Sequence, residues 1–266
     1  MIKLVASDMD GTLLDSKKRL PADLVPVVQG LKEKGATFVV ASGRQYDALR
    51  RDLDAIAKDI AFIAENGALV VEDDEVLFLD ALPAHELGAI LEAAKGLEGV
   101  YACVCGAHCA ACEETAARSF IDMMQMFYPS TKVVPDLAEY CKGMTDVCKI
   151  AFFDEGDAAA HLLPVLEEKL SDRLAVILSS DQWVDVMKPG VDKGRAMQMV
   201  MQLKGARPEE CMAFGDYLND LQLLEAVGES YAMENALPQL KAAAKYVAPS
   251  NDDNGVLRVI RERFSL

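Results

Sequence analysis

The chain has 266 residues, of which 52% are apolar and 26% charged, and its 43 acidic against 27 basic side chains give a formal charge of -16. This composition excludes a disordered or fibrous polymer, and the length suffices for one large domain or two moderate ones with real cores. The acidic balance argues against nucleic acid as a partner, which needs clustered Lys and Arg, but leaves room for a small phosphorylated ligand in a locally positive site.

The first predicted element is a buried strand, Ile2–Ser7, running into the loop Asp8-Met9-Asp10-Gly11-Thr12. A helix follows over about Ala22–Lys34, with Gly35 as its C-terminal cap. Thr37–Ala41 reads as a strand ending at Ser42-Gly43-Arg44, about Gln45–Ala57 as a helix, and Ala61–Ala64 as a strand ending at Glu65-Asn66-Gly67. Ala68–Leu79 reads as a hairpin around the acidic turn Glu72–Glu75.

From Pro83 the pattern becomes α+β. Helices are expected over Pro83–Lys95, Ala116–Phe127 and His161–Leu170, and strands over Val100–Cys105, Cys109–Glu114, Lys149–Phe153, Ala175–Leu178 and Trp183–Met187. The earlier alternation then resumes. It gives a helix over Asp192–Lys204, a strand Cys211–Phe214 ending at Gly215-Asp216, and a helix Leu221–Ala226. A strand Tyr231–Met233, a helix Leu237–Ala244 and a strand Tyr246–Ala248 complete it. The expected architecture is therefore α/β: a doubly wound parallel sheet formed by residues 1–82 and 188–266, with an inserted domain at 83–187.

No run of 18 apolar residues occurs, so no membrane-spanning helix and no membrane partner are expected. The N-terminal residues lack a long apolar stretch and a small-residue cleavage site, so a cytoplasmic location with seven reduced cysteines is expected.

The polar residues that follow the apolar strands carry the chemistry. In an open parallel sheet these positions gather at the carboxyl edge, where ligands bind. Asp8 and Asp10 flank one residue. Together they offer oxygen ligands for a hard cation such as Mg2+, a nucleophile and a proton-transfer group. An Asp-rich turn is the bland alternative. Gly215-Asp216-Tyr217-Leu218-Asn219-Asp220 supplies two more carboxylates and an amide, with Asp216 and Asp220 on one face of an emerging helical turn. The bland alternative is a helix cap. Ser42 can bind a phosphoryl oxygen, and Lys193, at a predicted helix start, can offset carboxylate repulsion and stabilise a transferring phosphoryl group.

Together these residues resemble the haloacid dehalogenase-like phosphatases. The family's four motifs correspond to Asp8–Leu14, Ala41-Ser42-Gly43-Arg44, Lys193 and Gly215–Asp220. The phrases Glu65-Asn66-Gly67-Ala68, Ala232–Ala236 and Asn251–Val256 are similar to the Cof-type branch, in which a large α/β cap lies between the second and third motifs. The resemblance implies a Rossmann-like core and a cap at 83–187 that closes over it and selects the substrate. It further implies a phosphatase in which Asp8 is the nucleophile, forming an aspartyl-phosphate, and Asp10 the acid and base. Mg2+ would be held by Asp8, Asp10 (through its carbonyl), Asp216 and Asp220, and phosphate by Ser42, Gly43, Arg44, Lys193 and Asn219. Expected substrates are small phosphorylated metabolites: sugar, polyol, nucleotide or cofactor phosphates. A phosphomutase or phosphotransferase using the same intermediate, and a non-catalytic phosphometabolite-binding protein, are the competing readings.

Other features are read as structural. Cys103, Cys105, Cys109 and Cys112 with His108 suggest zinc at first sight. Paired strands, however, would put Cys103 and Cys105 on one face and Cys109 and Cys112 on opposite faces, so packing is preferred. His85 and His161 are read as surface or packing residues, and Met123, Met124, Met126 and Phe127 as core.

Overall fold

The computed structural model describes residues 1–128 and 130–266, with Phe127 through its backbone alone. By contacts the chain divides into two compact units, residues 1–78 with 192–266, and residues 79–191.

The first unit is built on an eight-stranded sheet. Its first five strands are β1 (Leu4–Ser7), β2 (Thr37–Ala41), β3 (Ile60–Ala64), β4 (Leu69–Glu72) and β5 (Glu75–Leu79). Helices α1 (Leu24–Glu33) and α2 (Tyr46–Asp52) connect the first three. Helix α1 closes at Gly35, whose φ of 76° lies in the left-handed region that favours glycine. Helix α2 stops earlier than its sequence pattern suggests, and a short 3-10 turn, Asp54–Ile56, follows. Asp73 and Asp74, at φ of 52° and 62°, make the tight acidic turn between β4 and β5.

The second unit holds six strands: β6 (Val100–Gly106), β7 (Ala110–Glu113), β8 (Lys132–Val134), β9 (Val147–Asp154), β10 (Ala175–Ser180) and β11 (Trp183–Met187). They form one sheet in the order β10-β11-β9-β6-β7-β8. Its helices are α3 (Leu87–Ala93), α4 (Arg118–Phe127), α5 (Leu137–Tyr140), α6 (Ala158–His161) and α7 (Leu163–Leu170). Pro164 separates α6 from α7, because proline has no N–H to continue the ladder and suits a helix start. Alternate strand residues such as Val104, Ile150, Phe152, Val184 and Val186 pack with Leu87, Ile90, Leu137, Leu162 and Leu166 in one apolar core. The segment before α3 belongs to this unit, since Leu82 joins that core and its N–H donates to the Val147 carbonyl.

The cysteines face as their spacing suggests, with Cys109 and Cys112 directed to opposite sides. Cys103 lies opposite Cys112, so Cys103, Cys105 and Cys112 share one face and pack with Phe120, Ile121 and Met124 of α4. Cys109 precedes β7, and its Sγ lies 3.4 Å from the Tyr140 hydroxyl. His161 pairs with Asp154 at 2.8 Å, and His85 is exposed. Met124 is buried and Met126 exposed, while the Phe127 side chain lies outside the described residues.

The chain returns to the first unit with α8 (Lys193–Lys204), β12 (Cys211–Gly215), α9 (Leu221–Ala226), β13 (Glu229–Met233), α10 (Pro238–Ala243), β14 (Tyr246–Ala248) and α11 (Gly255–Phe264). The sheet order is β14-β13-β12-β1-β2-β3-β4-β5. Every pair from β14 to β3 is parallel, and β4 runs antiparallel to β3. The order reverses beside β1, which lies between β2 and β12. A crevice at the carboxyl ends of strands is expected at such a switch point. Among the described residues, no helix is long and apolar enough to cross a membrane.

Candidate active site

Asp8 follows the last residue of β1, and its N–H donates to the Phe214 carbonyl of β12. The strand ends on either side of the switch point are thereby locked together. The loop then folds back on itself: Leu13 N–H donates to the Asp8 carbonyl and Leu14 N–H to the Met9 carbonyl. Met9 and Leu13 point into the core, so the residues between them are held at the edge.

Lys193 is fully buried although it is charged. It begins α8, where the Asp192 carboxylate caps the helix by accepting the Arg195 N–H at 2.7 Å. Its Nζ donates to Asp8 Oδ1 and to Asp220 Oδ1, each at 2.7 Å. Asp220 turns its other oxygen back to the backbone N–H groups of Asp216 and Tyr217, at 3.0 and 3.2 Å. One carboxylate thus braces both the lysine and the loop that carries Asp216. Thr12 donates its hydroxyl to Asp216 Oδ1 at 2.8 Å, tying this loop to the first one.

Asp8, Asp216 and Asp220 each place a carboxylate oxygen within 4.8 Å of the others. Three carboxylates against one ammonium leave two negative charges uncompensated if all are ionised. Their protonation reflects this. Burial, with Asp220 and Asp216 nearby, pushes Asp8 up to about 8 despite Lys193. Burial and Asp220 push Asp216 up to about 6, against the Thr12 hydrogen bond. Burial disfavours the charged Lys193, but Asp8 and Asp220 outweigh it and hold its ammonium above the ordinary lysine range. An oxygen-rich pocket with surplus negative charge is what a hard divalent cation requires, so these residues fit Mg2+.

Gly11 permits the close approach. Its φ is 82°, and a Cβ there would lie 2.3 Å from Asp216 Oδ2. Gly11→Ala should cost about 1–3 kcal/mol of stability through backbone strain and should displace Asp216. Chemical denaturation would show the first effect, and a smaller Mg2+-induced rise in melting temperature the second.

Asp10 points elsewhere. Its carboxylate accepts from Arg44 Nε and Nη2, each at 2.7 Å, and from Lys18 Nζ at 2.8 Å. Burial opposes ionisation, but the bonds and charges of Arg44 and Lys18 prevail and keep its carboxyl below the ordinary range. Ser42 is buried, and its Oγ accepts the Arg44 N–H at 3.2 Å. Asn219 donates to Asn66 Oδ1 at 3.1 Å, and Asn66 sits against Gly43. The structure therefore gathers Asp8, Lys193, Asp216 and Asp220 in one cluster, and Asp10 with Arg44 in a second.

Lys18 is an addition to the residues that sequence reasoning singled out, whereas Thr12, Asn66 and Asn235 lay in quoted segments without a role of their own. Asn235 Nδ2 donates to the Gly11 carbonyl at 2.7 Å and its Oδ1 accepts the Asn251 N–H, holding the first loop from outside. Lys18 carries no signal in the sequence.

A family model described as haloacid dehalogenase-like hydrolase matches residues 5–260. The Escherichia coli protein 5-amino-6-(5-phospho-D-ribitylamino)uracil phosphatase YbjI is 33% identical over 265 residues, covering 97% of this chain and 95% of that protein. An HMP-PP phosphatase of Shigella flexneri is 30% identical over 243 residues, covering 91% and 88%. The crystal structure of TM0651 from Thermotoga maritima superposes with a TM-score of 0.88 at 26% identity, covering 98% of this chain and 97% of that one. With this match across nearly its whole length, the chain belongs to the haloacid dehalogenase-like hydrolases, as a phosphomonoester hydrolase.

Proposed function

We propose that this chain hydrolyses small phosphorylated metabolites in a Mg2+-dependent reaction that passes through an aspartyl-phosphate on Asp8. The observation that carries the reading is the convergence of Asp8, Lys193, Asp216 and Asp220 at the switch point of a parallel sheet. A phosphate dianion would meet repulsion from these carboxylates alone. Mg2+, held by Asp8, Asp216 and the Asp10 carbonyl with Asp220 in support, would supply the compensating positive charge.

The Asp8 carboxylate attacks phosphorus as the bond to the leaving oxygen breaks, and Asp10, ionised while Arg44 and Lys18 hold it, takes up a proton from solvent when substrate draws them away and gives it to that oxygen. Asp10 then takes a proton from the water that attacks the phosphoryl group, and Asp8 is released. Lys193 opposes the charge on Asp8 and on the transferring group. Ser42, Gly43, Arg44 and Asn219 bind the phosphoryl oxygens. Residues 83–187 are assigned the choice of substrate. Sugar, polyol, nucleotide and cofactor phosphates form the candidate class, and the names of the Escherichia coli and Shigella relatives support it.

The test is free phosphate release from a panel of such metabolites, with Mg2+ and with a chelator. Release that stops with the chelator is expected. An isomeric phosphate ester appearing without free phosphate would overturn hydrolysis in favour of a mutase.

The raised carboxyls add a pH prediction. A folded-state carboxyl pKa above the ordinary 3.8 means that its ionisation costs stability, and this cost accrues as pH rises above 3.8 and levels off beyond about 6 for Asp216 and about 8 for Asp8. Mg2+ binds the ionised forms and so competes with protons. Its apparent Kd should weaken at least about tenfold between about pH 8.5 and about pH 5.5. Thermal shift titrations would read this, and a pH-independent Kd would contradict the proposed ligand set.

A further inference from the structure

We infer that Lys18 is a substrate-binding residue. With Arg44, it selects substrates that carry a second anionic group near the phosphate ester, and that group frees Asp10 for proton transfer. The inference rests on the phosphatase reading and names a substrate class for the same site.

Lys18 lies beyond the first motif, yet its ammonium reaches the Asp10 carboxylate at 2.8 Å. Its placement is built. Asp15 accepts the N–H groups of Lys17 and Arg19 at 2.9 and 2.8 Å and the Arg19 Nε–H at 2.7 Å. The Lys18 N–H donates to the Asp15 carbonyl, and the Ser16 N–H donates to Asp252 at 2.8 Å. This frame holds Lys18 at φ 60°, a left-handed conformation that L side chains rarely adopt. Strain maintained by so many contacts beside a reacting group points to a function for the residue it orients.

The two cations close off Asp10. Its Oδ1 accepts from Lys18 and from Arg44 Nη2, and its Oδ2 accepts from Arg44 Nε. While both oxygens serve cationic donors, neither is placed to exchange a proton with a leaving group. Arg44 also meets Asp52 at 3.1 Å, so its charge is shared. The Lys18 side chain is 64% exposed, and among the described residues its ammonium pairs with Asp10 alone. Lys18 is thus the cation that an incoming anion recruits at least cost. A carboxylate or second phosphate on the leaving group takes the ammonium and uncovers Asp10 Oδ1. A neutral leaving group offers no such exchange.

The test uses two unreactive probes that differ by one carboxylate, methylphosphonate and phosphonoacetate. Each is titrated into the Mg2+-loaded protein by calorimetry and checked as a competitive inhibitor of p-nitrophenyl phosphate hydrolysis. Wild type should bind phosphonoacetate at least about tenfold more tightly. Lys18→Met should bring that ratio to about two or less, and Lys18→Arg should restore most of it. A merely structural Lys18 would leave the ratio unchanged in both variants. Equal affinities in wild type, no measurable binding of either probe, or a ratio unaffected by Lys18→Met would overturn the inference. Absence of p-nitrophenyl phosphate hydrolysis in wild type would instead overturn the phosphatase reading, since the calorimetric ratio is measured independently.

Discussion

Asp8→Asn is expected to lower kcat by roughly 10⁴-fold or more while leaving the protein at least as stable as wild type in metal-free buffer. The amide cannot attack phosphorus, so turnover is lost at its first step. The stability side follows from the charge balance. Asp8 is buried, its carboxyl is raised to about 8, and it shares Lys193 with Asp220. Replacing it by a neutral isostere removes one uncompensated negative charge and leaves Lys193 paired with Asp220. Phosphate release with Mg2+ present, and thermal melting in a chelating buffer at about pH 8, check the two halves separately. A variant that melts far below wild type would show that the Asp8–Lys193 pair holds the fold. One that keeps its activity would remove Asp8 as the nucleophile.

Lys193→Met should do the opposite to stability. It leaves Asp8 and Asp220 buried without their cation, and breaking a buried pair by removing one partner costs about 3–5 kcal/mol. The loss should be greatest near about pH 8, where Asp8 and Asp216 are substantially ionised. It should shrink as pH falls, because protons replace the lost charge. Added Mg2+ should recover part of it at high pH, since the cation can serve the same carboxylates. The activity of whatever remains folded should fall by about 10²–10³-fold, the scale for removing one electrostatic stabiliser of a transition state. Denaturant unfolding at two pH values, with and without Mg2+, reads the stability terms. A loss independent of pH would mean that Lys193 acts by packing rather than by charge. Adding Asp8→Asn to Lys193→Met should restore stability relative to the single variant, because the two residues are in contact and their effects do not add.

Much of the fold was legible in the amino-acid order because it rests on local patterns. Thr37–Ala41, Trp183–Met187, Leu221–Ala226 and Tyr246–Ala248 have the bounds that their apolar runs and punctuation suggest. The turn residues Asp73 and Asp74 and the cap at Gly35 behave as their chemistry dictates. Four elements were missed: β8, α5, α11 and α6, which the expected helix met only at His161. The first two are only three and four residues long, too short for a period to show. Helix α11 did carry a signal, since Val256, Leu257 and Ile260 recur at helical spacing and are buried. The cysteine facing was legible too, because Cys109 and Cys112 are three residues apart and strand faces alternate. Placing Cys103 opposite Cys112 turns Cys112 onto the face of Cys103 and Cys105.

The sequence by itself determined which residues follow apolar strands, and so put Asp8, Ser42 and Asp216 at the carboxyl edge of a parallel sheet. That information is local, carried by hydrophobic runs and the polar residues that end them. Only the tertiary structure decided which oxygen meets which cation. Lys193 sits between Asp8 and Asp220 from 185 and 27 residues away, and Asp10 turns from the carboxylate cluster toward Arg44 and Lys18. Such choices depend on burial and on charges brought together by distant segments, and no spacing along the chain encodes them.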